Sequence, residues 1–185
     1  MLTVKEFQKL VPNLSESEAI KVIKDPLFSD FEIGHISEKD LRSGVFAILG
    51  LDPGTISDQE FDNAWNGMIL DLPKNRLDLI ESLAQNHRIF LLSNTNSIHM
   101  RCVSQVVQRT IQRASIDHYF EKAYYSHQMG LRKPDRLIYE KVLSESNLVP
   151  SDTLFLDDSP VNFSGACAAG MSTLEVDRDI LEIFA

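Results

Sequence analysis

Two adjacent carboxylates at the end of an apolar run are the first residues in this chain that could do chemistry. Phe155-Leu156-Asp157-Asp158 is followed by Ser159-Pro160-Val161-Asn162, so two acids and an amide fall where a buried strand would hand over to a helix. Neighbouring acids raise each other's pKa unless a cation or a donor compensates them. A hard cation such as Mg²⁺ would do so, because it takes oxygen ligands and keeps several waters. Helix capping explains the same residues, since a carboxylate is stabilised at the positive end of a helix dipole. On these residues alone, metal and cap stay equally open. A second cluster, Ser93-Asn94-Thr95-Asn96, also closes an apolar run and opens a helix. It offers hydroxyl, amide and backbone donors to an anion, or simply an N-cap. A third, Gly130-Leu131-Arg132-Lys133-Pro134-Asp135, carries a lysine just ahead of a helix. A lone lysine there is ordinarily a solvated charge. Hydroxyl, lysine and paired acids, each at a strand-to-helix junction, are harder to attribute to chance than any one of them.

The elements that must position these clusters follow from capping signals and periodicity. Up to about residue 75 the chain reads as helices. Ser15 to Glu18, Ser37 to Asp40 and Ser57 to Glu60 each place a hydroxyl three residues before a carboxylate, which satisfies orphan N–H groups at a helix start. Apolar residues at helical spacing follow, such as Leu41, Val45 and Ile48, or Phe61, Trp65 and Met68. The latter trio suits a core better than a substrate pocket. After Pro73 the rhythm becomes helix, strand, helix, strand. Strands are expected at 88–92, 123–126, 153–156 and 172–176, with helices from about Ser97, over 137–148 and over 161–169. That alternation predicts a parallel sheet in an α/β sandwich, with ligands at the carboxyl ends of the strands. The three polar clusters lie there.

Composition narrows the function classes. With 18 Lys+Arg against 27 Asp+Glu in 185 residues, the net charge is −9, which argues against nucleic acid or a membrane surface as partner. The start lacks a basic region followed by an apolar one, and no apolar run is long enough to cross a bilayer. The expectation is a cytoplasmic protein. Cys102 and Cys167 stand in no metal or redox spacing and read as reduced and structural, with Cys167 a small buried side chain in an Ala-rich stretch. His35, His99, His118 and His127 fall in no metal-ligand spacing.

Leu91-Leu92-Ser93-Asn94-Thr95-Asn96, then Gly130-Leu131-Arg132-Lys133-Pro134 with Ile138-Tyr139, then Phe155-Leu156-Asp157-Asp158 with Asn162, resemble three of the four motifs of the haloacid dehalogenase (HAD) superfamily. The likeness is nearest to its small sugar-phosphate phosphatases, which act on hexose 1-phosphates, and to the phosphatase domain of soluble epoxide hydrolases. Phe31-Glu32-Ile33-Gly34-His35-Ile36-Ser37 resembles the helical cap of that subgroup. The resemblance implies an α/β fold: a Rossmann-like three-layer sandwich with a parallel sheet at 76–185 and a small helical cap at 1–75. It implies a Mg²⁺-dependent phosphatase acting on a small phosphorylated metabolite such as a sugar phosphate. In that scheme Ser93 would hydrogen-bond the transferring phosphoryl group with Asn94 beside it, and Lys133 would neutralise phosphate charge and orient the nucleophile. Asp158 would bind Mg²⁺ directly, with Asp157 the neighbouring acid in both the metal and the catalytic set. Asn162 would support these ligands without touching the ion.

One motif of the family is not found. It is an apolar strand ending in Asp-x-Asp, where the first Asp attacks phosphorus and the second acts as general acid and base. Met1 to Leu10 reads as helix, and the only Asp-x-Asp, Asp177-Arg178-Asp179, reads as a turn after the final strand. The family's order would put the missing strand between those ending at Leu92 and Leu156, leaving both neighbours with unpaired backbone groups. The chain is thus expected to be inactive as written, an N-terminally truncated form short of roughly 10 to 25 residues. The alternative is a non-catalytic relative that binds a phosphorylated ligand or a protein partner.

Overall fold

A computed structural model describes residues 2–11 and 14–184. Met1, the first residue of the expected N-terminal helix, lies outside them. The helices α1 (Leu2–Leu10), α2 (Glu16–Ile23), α3 (Pro26–Glu32), α4 (Glu38–Leu49), α5 (Asp58–Trp65) and α6 (Lys74–Ala84) precede the strand β1 (Phe90–Ser93). Then come α7 (Ser97–Ile111), β2 (Lys122–Tyr125), α8 (Ser126–Met129), α9 (Arg136–Glu145), β3 (Leu154–Asp157), α10 (Phe163–Ala168), β4 (Ser172–Glu175) and α11 (Ile180–Ile183). The contacts divide the chain into two compact units, 1–72 with 95–116 and 73–94 with 117–185. The change of rhythm at Pro73 coincides with this division. The helix α7, which the sequence reading places with the strands, groups with the N-terminal helices.

In the first unit the three expected capping boxes all form. Ser15, Ser37 and Ser57 each accept from the backbone N–H three residues on, and Glu18, Asp40 and Glu60 reach back to the serine N–H. Between these helices lies an apolar core that includes Phe31, Leu41, Val45, Phe61, Trp65 and Ile98. Met68, expected with Phe61 and Trp65, is instead half exposed, because the chain leaves the α-helix at Asn66 for a single 3₁₀ turn. Charge explains why α7 belongs here. Arg42, 8% exposed, donates through its guanidinium to Asp62 at 2.7 and 3.0 Å and to Asp58 at 3.1 Å. Arg101 on α7 pairs with Glu38 and Asp62, and Ser97 donates to Glu38 at 2.6 Å. Arg101 above all, with Ser97 and Arg42, holds the Glu38 carboxyl down at about 2 against the opposing effect of burial.

The second unit carries the strands in two parallel pairs. In β1 and β2, Leu92 is opposite Tyr124 and Ser93 opposite Tyr125; in β3 and β4, Phe155 is opposite Thr173 and Asp157 opposite Glu175. Among the described residues no ladder joins β1 to β3, the strands between which the sequence expectation puts another. Ile138, Tyr139, Leu143, Phe155, Ala166 and Met171 form this unit's core, with Leu92 packed against it. The strand over 153–156 is expected to be buried, yet only Phe155 and Asp157 of β3 are; Leu154 is 47% and Leu174 of β4 37% exposed. A parallel strand is buried on both faces only when both are covered, and here the Leu154 and Leu174 face is open. Cys167 departs from its expected burial as well. It is exposed, since Gly165 and Ala166 form the inner side of α10, and both cysteines are free. No helix among the described residues is long and apolar enough to cross a membrane.

His99 gives the first unit a pH dependence. Its ring is buried and stacks on Trp65 at 5.2 Å, and Nδ1 lies 2.8 Å from Asn66 Oδ1, which makes Nδ1 the donor of a neutral ring. Burial pushes the pKa down to about 4. An unfolded chain takes that proton near pH 6.5, so between these values the unfolded state holds more protons. Stability should fall as pH drops from about 6.5 towards 4, by about 3 kcal/mol in total. Urea denaturation across this range checks it: His99→Gln should flatten the slope, and an unchanged slope would contradict the assignment.

Candidate functional site

The polar residues at the carboxyl ends of β1 and β3 are tied together by one loop. Asn94, immediately after β1, grips the backbone of Lys133 from both sides: its Nδ2 donates to the Lys133 carbonyl at 2.9 Å and its Oδ1 accepts from the Lys133 N–H at 2.8 Å. An asparagine amide matches the donor and acceptor of a peptide group, which is why this residue type can clamp a loop. The clamp fixes the backbone from which the lysine side chain extends. Lys133 Nζ then donates to Asp157 Oδ2 at 2.6 Å, and the pair is nearly enclosed, with side chains 11% and 5% exposed. The ammonium also stands 5.4 Å from the centre of the Phe155 ring, within range of a cation–π contact.

Asp157 is held from its other side too. Its Oδ1 accepts from the Ser159 N–H at 2.8 Å and from Asn162 Nδ2 at 2.9 Å. Burial pushes the carboxyl up, but the Lys133 ammonium, the Asn162 amide and the Ser159 N–H together outweigh it and hold it below the ordinary aspartate value. Asp157 is therefore a charged acceptor for three nitrogen donors, and it holds the turn at Ser159 as well as anchoring the lysine. Neither helix that follows takes a cap from this side chain, whose contacts stay with the lysine and the turn. Asp158, next in the chain, is exposed, with neither hydrogen bond nor ion pair among the described residues. Ser93 ends β1 half buried.

This geometry redistributes the expected roles. Lys133, Asp157, Asn162 and Asn94 come together, but Asn94 spends its amide on the Lys133 backbone rather than offering it to a ligand. Asn162 supports Asp157, not Asp158. Asp157, expected beside the metal, has its oxygens committed to nitrogen donors, which leaves Asp158 as the carboxylate of the pair open to a cation. Among the described residues no three His, Cys, Asp or Glu side chains converge to hold a metal by themselves. Asp158 with waters and a ligand phosphate nevertheless suits Mg²⁺, which is commonly bound through one or two carboxylates. The Asp-x-Asp at 177–179 is occupied otherwise. Asp179 caps α11 through the Leu181 N–H and pairs with Arg76, while Asp177 pairs with Arg178. Tyr139 and Gly165 also shape the site and were not singled out as such. For Gly165 the signal is a glycine inside a helical stretch, which often marks close packing; for Tyr139 it is its place just behind the lysine motif.

Residues 74–176 match the model of the haloacid dehalogenase-like hydrolases. The D-ribitol-5-phosphate phosphatase of Bacteroides thetaiotaomicron is 27% identical over 175 residues, spanning 95% of this chain and 83% of the relative. A HAD family enzyme from the same organism, solved with magnesium and inorganic phosphate, superposes with a TM-score of 0.84 at 30% identity, covering all of this chain and 90% of its own. A HAD-like family hydrolase from Porphyromonas gingivalis gives 0.82 at 28% identity, with 99% and 87% covered.

The Lys133–Asp157 pair makes a stability prediction. Asp157→Asn leaves an enclosed ammonium without its counter-charge and should cost about 3–5 kcal/mol. Lys133→Ala should cost less, because Ser159 and Asn162 still serve the carboxylate. Because the folded pKa of Asp157 is lowered, its contribution is complete above about pH 4 and lost as pH falls through the folded value. Urea denaturation of the three proteins at pH 7 and pH 3 checks this: the gap between native and Asp157→Asn should narrow at pH 3, and equal gaps would contradict it. Family match, solved relatives and the lysine–aspartate pair at the strand ends agree, and the chain belongs to the haloacid dehalogenase-like hydrolases.

Proposed function

We propose that this chain carries the phosphate- and Mg²⁺-binding part of a phosphatase for a small phosphorylated metabolite such as a sugar or sugar-alcohol phosphate. The observation that carries the reading is the Lys133 ammonium, fixed by Asn94 and Asp157 at the carboxyl ends of the strands. Phosphoryl transfer is accelerated chiefly by positioning and charge neutralisation, and an enclosed, oriented ammonium supplies both. Ser93 would donate its hydroxyl to the phosphoryl group, and Asp158 would hold Mg²⁺, which neutralises charge on the phosphate oxygens when bound. The relative that acts on D-ribitol 5-phosphate makes pentitol phosphates the first class to try.

Three of the aspartates that could attack phosphorus are already engaged. Asp157 is bound by three nitrogen donors, and Asp177 and Asp179 are paired with arginines. As it stands the chain should bind phosphate without hydrolysing phosphate esters. The same observation supports a second reading, a non-catalytic relative that senses a phosphorylated ligand.

Phosphate release from ribitol 5-phosphate and a set of hexose phosphates, with Mg²⁺, tests the inactivity. The chain alone should release no more than the blank; turnover that disappears in Lys133→Ala would overturn it. Thermal denaturation tests the site: inorganic phosphate and Mg²⁺ together should raise the midpoint more than either alone. No shift at saturating phosphate would overturn the phosphate-site reading.

A further inference from the structure

Behind the lysine lies a contact that only glycine permits. A Cβ at Gly165 would stand 2.0 Å from the carbonyl oxygen of Pro134 and 2.7 Å from Cε2 of Tyr139. The nearer obstacle is backbone, so no side-chain rotation relieves it. Gly165 is buried in α10 with a φ outside the left-handed region, so the glycine is required for space rather than for its dihedral freedom. Pro134 follows Lys133 directly, and its carbonyl therefore rests on the helix that begins just after Asn162.

Tyr139 secures the same junction from α9. It is fully buried, its hydroxyl donates to the Asn162 carbonyl at 2.6 Å, and its ring meets Phe155 edge-on at 5.2 Å. The Tyr139 hydroxyl thus holds the residue whose amide holds Asp157, and its ring packs on the one over which the Lys133 ammonium stands. Its own proton is firmly retained, since burial and the nearby Asp157 charge lift its pKa far above the ordinary tyrosine value.

We propose that Gly165 and Tyr139 are positioning residues that set where the Lys133 ammonium stands and thereby how well the site takes a phosphate dianion. Gly165 acts by letting the Pro134 carbonyl lie against α10, and Tyr139 by fixing Asn162 and so Asp157. The proposal rests on the reading of Lys133 as the phosphate-binding lysine, and its test separates the two.

Two readouts are needed, on the native chain, Gly165→Ala, Tyr139→Phe, Lys133→Ala and the Lys133→Ala/Gly165→Ala double variant. The first is calorimetric affinity for inorganic phosphate with Mg²⁺. Gly165→Ala should weaken it by roughly 10- to 100-fold, the loss that goes with spoiling one hydrogen bond to a charged group. Tyr139→Phe, which keeps the ring, should weaken it by a smaller factor, and the double variant should be no worse than Lys133→Ala. The second is the ¹⁵N and ¹H resonance of the Lys133 ammonium, which reports its hydrogen bond to Asp157 without any ligand. It should move in both Gly165→Ala and Tyr139→Phe. Native affinity in both variants, or losses that multiply fully with that of Lys133→Ala, would overturn the proposal. Should the native chain bind no phosphate, the phosphate-site reading fails, and the resonance alone decides whether these residues position the lysine. If Gly165→Ala does not fold, Tyr139→Phe decides by both readouts.

Discussion

An ammonium and a carboxylate almost shut off from water are the constraint around which this site is built. Enclosing either charge alone is costly, and the pair is tolerable only when geometry is good and the remaining lone pairs are served. Here they are served. Lys133 lies 2.6 Å from Asp157, whose other oxygen takes a backbone N–H and an amide. The cost of the enclosed charges explains much of what surrounds them: the Asn94 clamp on the lysine backbone, the turn at Ser159, the inward Asn162, and a helix that must begin where it does.

The pair also joins parts of the unit that backbone ladders do not. The strands β1 and β3 belong to separate two-stranded sheets. What links their carboxyl ends is a chain of polar contacts from Asn94 through Lys133 to Asp157, underlain by the packing of Leu92 with Phe155, Tyr139 and Ala166. Asn94, Lys133 and Asp157 are thus held together by loops and side chains rather than by a ladder between these strands. Leu154 of β3 and Leu174 of β4 stay exposed on one face of their pair.

Much of this was legible in the residues. Serine and acid three apart marked three helix starts, because a capping box is a local device whose partners are fixed by spacing. The strands were placed within about two residues, since apolar runs bounded by turn residues carry their own limits. The grouping of α7 was not legible. It depends on Arg101 and Ser97 meeting Glu38 more than fifty residues away, and nothing in local periodicity reports such a pairing. From the residues alone Asp157 and Asp158 could be named as a pair, and only the family resemblance set Asp158 apart as the direct ligand. Only coordinates show that one is wrapped in nitrogen donors and the other open. The exposure of Met68 and Cys167 had the same origin: an amphipathic pattern predicts a face, while the chain left the α-helix at Asn66 and turned Gly165 and Ala166 inward.

The central claim is that the anchored Lys133 ammonium is a phosphate site. The ³¹P resonance of inorganic phosphate, titrated with the protein in Mg²⁺ at neutral pH, tests it most directly. The account predicts a saturable shift or broadening with the native chain that is lost with folded Lys133→Ala. A resonance untouched by the native chain, or equally perturbed by both proteins, would contradict it.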